Sequence, residues 1–470
     1  DQCSWVHSQA PEQATEKAVE LMKMSVARAR LLAPLKGTSF AIDQRGIVIG
    51  GGLSGMTAAL SLANQGFEVN LIERSDRLGG NLTELNYTLE REDISSFLAG
   101  IVKDVEDHPN IKLHLETEVT GLEGYIGCFH VAASHHGEST RIPGGVIIVA
   151  TGASPATTRE FLHGKSDRVL TQAGLEKLLQ EGTFNTKNQN IVMIQCVGSR
   201  NEEHPYCSRL CCSMAVKNAL RIKKQDPGAS VFVLYRDIRT YGFREKYYQQ
   251  AREAGVIFVR YEPESPPVVE EENGLAVTVT VKSPDFPEAI EIEADSVVLS
   301  TGVEAAKDNR KIADMLKVPL NADGFFNEAH LKLRPVEFAT EGIFLCGLAH
   351  SPKLMDENIS QARAAAARAA TVLSKTELEV GAQVSSVDQS KCISCMTCVR
   401  ACPYGAPQIN VDNKAEIVAA NCMGCGICAA ECPAHAIQLN HFETKQFDNM
   451  INELFPSSEN EKTTKVPVSG

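Results

Sequence analysis

Val48-Ile49-Gly50-Gly51-Gly52-Leu53-Ser54-Gly55 joins an apolar run, Gly46–Ile49, to a segment that reads as a helix from about Gly55 to Gln65. A second strand is expected at Glu68–Glu73, giving a strand–helix–strand unit of about 30 residues. The glycines have the G-x-G-x-x-G spacing. Gly50 permits a tight turn, Gly52 lets the backbone approach a pyrophosphate, and Gly55 lets helix and strand pack closely. The helix N-terminus at Leu53 and Ser54 would offer N–H groups and a positive dipole end to phosphate. Glu73, ending the second strand, is placed to bind a ribose hydroxyl. Alone, the motif does not say which dinucleotide is held.

The flanking sequence narrows the choice. Arg77-Leu78-Gly79-Gly80-Asn81 resembles the R-x-G-G segment of FAD-dependent, disulfide-reductase-like flavoproteins. Val149-Ala150-Thr151-Gly152-Ala153 resembles their ATG segment, and Thr301-Gly302 closes a comparable later strand. Gly342-Ile343-Phe344-Leu345-Cys346-Gly347 resembles their late flavin segment. The resemblance implies bound FAD, contacted also by Arg74, Val119, Gly79, Gly80, Asn81, Ala150, Thr151, Gly152, Gly347 and Leu348. Two departures stand out. Leu348 occupies the position where these proteins usually carry Asp for the ribityl chain, so ribityl binding must differ. The place of a second, pyridine-nucleotide fingerprint reads Ile194-Gln195-Cys196-Val197-Gly198-Ser199-Arg200, and no redox-active C-x-x-C disulfide accompanies the flavin motifs. Electrons must enter and leave by another route.

Fifteen cysteines supply one. A disulfide scaffold would be small and exported, so clustering in a long chain without an export signal points to metal in a reducing cytoplasm. Cys392, Cys395, Cys398, Cys402-Pro403 and Cys422, Cys425, Cys428, Cys432-Pro433 are two complete C-x2-C-x2-C-x3-C-P runs. In such pairs the fourth Cys ligates the other cluster. Cys392, Cys395, Cys398 and Cys432 should therefore hold one 4Fe–4S cluster, and Cys422, Cys425, Cys428 and Cys402 a second, with each fourth Cys expected to open a helix. Structural zinc usually takes two pairs of ligands instead. Cys196, Cys207, Cys211 and Cys212 form a third group. Cys207 and Cys211, four apart, are expected on one helical face; the group reads either as a cluster of non-standard spacing or as buried, inert thiols. Cys3, Cys128 and Cys346 are isolated and read as structural.

The 470 residues suggest roughly three domains. With 46 Lys and Arg against 59 Asp and Glu, the net charge of −13 argues against nucleic acid. No apolar run is long enough for a membrane helix. A cytoplasmic location is expected. The expected organisation is a helical linker over 1–40, with its helix at 11–36 and an upstream part missing; a flavin domain over 41–189; an inserted α/β domain with a degenerate nucleotide site over 190–302; the rest of the flavin domain over 303–380; a ferredoxin domain over 381–445; and a polar tail over 446–470. Strands of the insert are expected at 190–195, 230–235, 256–260, 276–281 and 296–300.

Together, Cys3-Ser4-Trp5-Val6-His7, the flavin motifs, Cys196–Arg200, His204-Pro205-Tyr206-Cys207-Ser208-Arg209-Leu210-Cys211-Cys212 and both ferredoxin runs resemble the HdrA family, the flavin and iron–sulfur subunits of heterodisulfide reductases. The resemblance covers the chain to about residue 445. It implies an α/β, thioredoxin-reductase-like FAD fold with two dinucleotide-binding domains, followed by an α+β dicluster ferredoxin domain. It makes Cys196, Cys207, Cys211 and Cys212 ligands of a third 4Fe–4S cluster and turns Lys217 towards the isoalloxazine. It leaves a ligand role for Cys3 open. It further implies electron bifurcation between a two-electron donor, low-potential ferredoxin and a disulfide-type acceptor. Disulfide-reducing subunits, a hydrogenase or dehydrogenase, and ferredoxin would be partners, in a dimer of heteromers. Alternative readings are a relay component of a quinone-interacting oxidoreductase or class II benzoyl-coenzyme A reductase complex, an NAD(P)H-dependent flavoenzyme with a fused ferredoxin, or a zinc-stabilised scaffold.

Overall fold

The computed structural model describes residues 2–35, 37–90, 92–272, 276–381 and 383–455. The last part of the expected tail, 456–470, lies outside the described residues. The chain divides into two compact units, Ile42–Thr376 and Asp1–Ala41 with Glu377–Gly470.

The larger unit holds two parallel sheets. The first orders its strands Ile343–Leu345, Val146–Val149, Gly46–Ile49, Val69–Ile72 and Ile111–His114. Gly46–Ile49 and Val146–Val149 are buried throughout, which explains why they read as unbroken apolar runs. The strand order reverses between these two, and a ligand crevice of an open α/β sheet lies at such a point. Helices Leu53–Ala63 and Met355–Leu373 share one core with this sheet, with Ala58, Ala59, Ala362, Ala365, Ala366 and Ala369 all buried in it. These small side chains keep the packing close.

The second sheet runs Val169–Thr171, Ser296–Leu299, Asn190–Ile194, Ser230–Tyr235 and Ile257–Arg260. Its order reverses between Ser296–Leu299 and Asn190–Ile194. An antiparallel ribbon, Ala153–Pro155 with Val303–Ala305, carries the chain out of the first sheet and back. Ala276–Val281 belongs not to the parallel sheet but to an antiparallel one with Val268–Glu272 and Ile290–Ala294. Its neighbours were hidden by their charge: Val-Val-Glu-Glu-Glu and Ile-Glu-Ile-Glu-Ala bury too little to stand out.

In the smaller unit, Ser385–Val387 pairs with Ile437–Leu439 and Pro407–Ile409 with Ala415–Ile417 around Cys398, Ala415, Cys428 and Ile437. The N-terminal helix covers Pro11–Ala29, shorter than the 11–36 read from the sequence. Beyond it, Thr38–Ala41 is a strand paired with Glu377–Val380. The segment read as the start of the tail is also ordered, as helix Thr444–Leu454. The N-terminal helix meets it through Asn449, whose Nδ2 donates to Ala27 O at 2.7 Å, and through Arg28, 5.7 Å from the Phe447 ring centre.

Candidate cofactor sites

At the first switch point the glycines do what the motif requires. Gly50 has φ of +110°, and a Cβ there would run into the Ala150 carbonyl; one on Gly55 would collide with the Gly50 carbonyl oxygen. Gly52 faces open space, with only Gly80 Cα as near as 4.0 Å to a built Cβ. Gly79 N donates to Gly51 O at 3.0 Å, laying the Gly79–Asn81 segment along the turn. Asn81 Nδ2 donates to Ala153 O at 3.0 Å, which ties in the segment Ala150–Gly152. Leu53 and Ser54 begin their helix without a side-chain cap, so its first N–H groups face no competing side-chain acceptor. This bare glycine cradle at a helix N-terminus fits a pyrophosphate.

Glu73 is more committed than its motif suggests. Its Oε2 accepts from Gly51 N at 2.6 Å and its Oε1 from Ser75 N at 2.8 Å, so the carboxylate fixes the turn. Arg74 points to the surface, paired with Asp308 at 3.0 Å. Val119 is buried in the strand Thr117–Tyr125. Thr151 Oγ1 lies 3.4 Å from Asn309 Oδ1. Leu348 packs with Ala153, Val303 and Phe325, an apolar role in place of the usual Asp. Behind Gly347 stands a polar chain with no sequence signature. Gln361 Oε1 accepts from Gly347 N at 2.9 Å, and Gln361 Nε2 meets His350 Nδ1 at 2.7 Å. Lys353 Nζ donates to Gly347 O at 2.8 Å, and burial lowers its pKa to about 8.

Four cysteines gather at the second switch point. Cys196 follows strand Asn190–Ile194 with φ of +63°. Cys211 and Cys212 open helix Cys211–Gln225, and Cys207 lies in the loop before it. Cys207 and Cys211 therefore do not share a helical face, because the helix begins only at Cys211. Gly302, with φ of +77°, makes room for Ser208: a Cβ there would run into the Ser208 side chain, while Cys211 Sγ would stand at an ordinary contact distance of 3.5 Å. Burial pushes the thiols of Cys196, Cys211 and Cys212 upward, Cys212 to about 11, and the other cysteines' charges push Cys211 further. Cations oppose this. Arg200 Nη1 reaches Cys196 Sγ at 3.8 Å, Arg236 acts on Cys196, and Arg239 acts on Cys207. Asp237 pairs with both Arg200 and Arg239. A cysteine-rich, cation-lined pocket suits an anionic cluster, which would be bound by the deprotonated sulfurs. Among the described residues no three His, Cys, Asp or Glu side chains converge on a single-ion site. Tetrahedral zinc, with Zn–S of about 2.3 Å, needs sulfurs much closer together than a cubane's corners do.

Lys217 is buried, 6% exposed, on the same helix. Its Nζ donates to Glu176 Oε2 at 2.7 Å and to Tyr87 O at 2.9 Å. Sequence reasoning missed Glu176, which is fully buried and lies 41 residues before its partner.

In the smaller unit one cavity is lined by Cys392, Cys395, Cys398 and Cys432, with Ile409 and Ile437 among the apolar walls. These four come from both runs. Cys428 lies within the charge influence of Cys422, Cys402 and Cys425, though burial is the larger influence on its thiol. Backbone amides reach three sulfurs: Ala415 N to Cys392 at 3.4 Å, Ala436 N to Cys432 at 3.3 Å, and Ser385 N to Cys422 at 3.5 Å. The expected helix openings are reversed. Cys398 and Cys428 sit inside helices Thr397–Ala401 and Ile427–Ala430, and Cys402 and Cys432 follow those helices. Left-handed backbone at Met396 and Gly426 caps each helix, which starts one residue before the third Cys.

Known proteins share both parts. The family described as pyridine nucleotide-disulphide oxidoreductase matches residues 44–194, and that of the 4Fe-4S dicluster domain matches residues 385–433. The chain is 34% identical to a CoB–CoM heterodisulfide reductase iron-sulfur subunit of Methanopyrus kandleri, over 87% of this chain and 76% of that protein. It is also 34% identical to a subunit of the H2:CoB-CoM heterodisulfide, ferredoxin reductase of Methanothermobacter thermautotrophicus, over 95% of this chain and 81% of that one. Among solved structures, Lactococcus lactis thioredoxin reductase is similar at a TM-score of 0.49 and 18% identity, over 71% of this chain and 99% of that one. The first switch-point sheet and its FAD-type glycine cradle lie in the part matched by the pyridine nucleotide-disulphide oxidoreductase family, and the cysteine runs make a 4Fe–4S dicluster domain. With that pairing and this identity over most of its length, the chain belongs to the HdrA family of heterodisulfide reductase subunits, which are oxidoreductase components.

Proposed function

We propose that this chain binds one FAD and three 4Fe–4S clusters and works as the electron-splitting subunit of a heterodisulfide-reductase-like complex. Its task is to accept an electron pair and deliver the two electrons singly, one to low-potential ferredoxin and one towards a disulfide-type acceptor. When bound, FAD supplies the exchange between two-electron and one-electron transfer, and the clusters carry single electrons. Partner subunits would supply the donor chemistry and the disulfide-reducing centre. The names of the relatives, which pair a heterodisulfide with ferredoxin, support this reading.

The observation that carries it is the pocket of Cys196, Cys207, Cys211 and Cys212 at the second switch point, where a nucleotide loop would otherwise stand. Gly302 leaves space for Ser208, in the loop between Cys207 and Cys211, and Arg200, Arg236 and Arg239 offset the pocket's charge. Gly50–Gly55 grip the pyrophosphate, and Glu73 holds their turn. Lys217 of the cluster-bearing helix forms a buried charge pair with Glu176 of helix Gln172–Glu181, and we place the ammonium's influence on the flavin.

Mixing the anaerobic chain with NADH or with reduced ferredoxin tests the route. Ferredoxin should bleach the flavin band while NADH leaves it. Rapid bleaching by NADH would favour a nucleotide-dependent flavoenzyme.

A further inference from the structure

At the second switch point, two buried side chains have polar atoms without any partner among the described residues: both amide atoms of Gln195 and Oγ of Ser300. They are 0% and 1% exposed. Buried polar groups are costly when left unpaired, so a hydrogen-bond acceptor or donor is expected beside them.

Their position says which. Gln195 and Ser300 directly follow the adjacent parallel strands Asn190–Ile194 and Ser296–Leu299, and Ser300 N donates to Ile194 O at 2.9 Å. Strand residues alternate between faces. Val192, Ile194, Val297 and Leu299 share the core on one face. Ile191, Met193 and Val298 share the other with Ala215, Val216 and Ala219 of helix Cys211–Gln225. One more step of the alternation puts Gln195 and Ser300 on the helix side, at the end where Cys211 and Cys212 stand. Cys196 is the next residue after Gln195. Gly302, two beyond Ser300, makes room for Ser208 of the cysteine loop and lies beside Cys211, whose Sγ would be 3.5 Å from a Cβ built there. The backbone cannot swing Gln195 away: its N–H donates to Leu234 O at 2.9 Å, and its carbonyl accepts from the Tyr261 hydroxyl at 2.7 Å.

We propose that the Gln195 amide and the Ser300 hydroxyl donate hydrogen bonds to sulfur of the cluster held by Cys196, Cys207, Cys211 and Cys212, and thereby raise its reduction potential. The inference rests on the third cluster proposed above. Donors to the sulfurs favour the reduced state, which carries one more negative charge. The two residues thus act as tuning donors and not as ligands.

Gln195→Met and Ser300→Ala in the full anaerobic chain test this by EPR-monitored redox titration with iron quantitation. At the wild-type midpoint, the reduced-to-oxidised ratio of this cluster should fall about tenfold in Gln195→Met, the worth of one hydrogen bond to a charged group. Ser300→Ala should lower it in the same direction, and the two ferredoxin-type clusters should not shift. A full complement of about twelve irons with unchanged ratios in both variants overturns the proposal. Should Gln195→Met shed its middle cluster, the smaller Ser300→Ala change decides, and an unchanged ratio there overturns it. About eight irons in the wild type would instead remove the third cluster itself.

Discussion

Lys217 and Glu176 show how a single residue can be found in the sequence and its partner missed. Nothing about Leu175-Glu176-Lys177 in an amphipathic helix signals a carboxylate that is 0% exposed. Burial lowers the pKa of Lys217, and the charge of Glu176 opposes that shift. Removing one partner leaves the other uncompensated. Lys217→Ala should cost about 3–5 kcal/mol in urea unfolding, and Lys217→Met with Glu176→Gln clearly less. If the ammonium also acts on the flavin, Lys217→Met with Glu176→Gln will shift the flavin's reduction potential; an unshifted potential removes that role. Glu337 gives a pH signature. Burial would raise its pKa, but hydrogen bonds and charge from Arg334 at 2.7 Å and Arg368 at 2.6 Å hold it below the carboxylate value of 4.5. Its stabilisation is therefore complete above the unfolded pKa and fades as pH falls through the lower folded one. Thermal melts between pH 6 and about 3 should lose less stability in Glu337→Gln than in the wild type.

At the scale of elements, glycine and cysteine spacing carried most of the information. G-x-G-x-x-G located its turn because only glycine tolerates the contacts there. Gly55→Ala should therefore lose bound FAD by at least about tenfold, read as flavin released on gel filtration, since the clash is with rigid backbone. The ferredoxin runs located their loops but not their helices, because each run contains a left-handed turn before its third Cys. Cys432→Ala should remove the cluster of the cavity it lines with Cys392, Cys395 and Cys398, a loss of about four irons, while the signal of the other cluster persists. Loss of both signals would count against the crossed ligand sets. Strand Val169–Thr171 and the charged strands Val268–Glu272 and Ile290–Ala294 left no usable pattern; tertiary pairing makes them.

For the whole molecule, the order of motifs was legible before the architecture. Two parallel sheets reverse strand order at two places, and glycines mark the first while cysteines mark the second. What the sequence could not show is how burial joins distant residues at these points: Gly302 against Ser208, Gln195 beside Ser300, Gln361 behind Gly347. No helix among the described residues is long and apolar enough to cross a membrane. The central claim is that thiolates of this chain hold three cubanes in the same protein as one FAD. Metal and flavin quantitation on anaerobically purified protein, read together with EPR, tests it most directly. The account predicts about twelve irons and one FAD per chain, with three resolvable reduced-cluster signals; a pale protein carrying zinc in place of iron would contradict it.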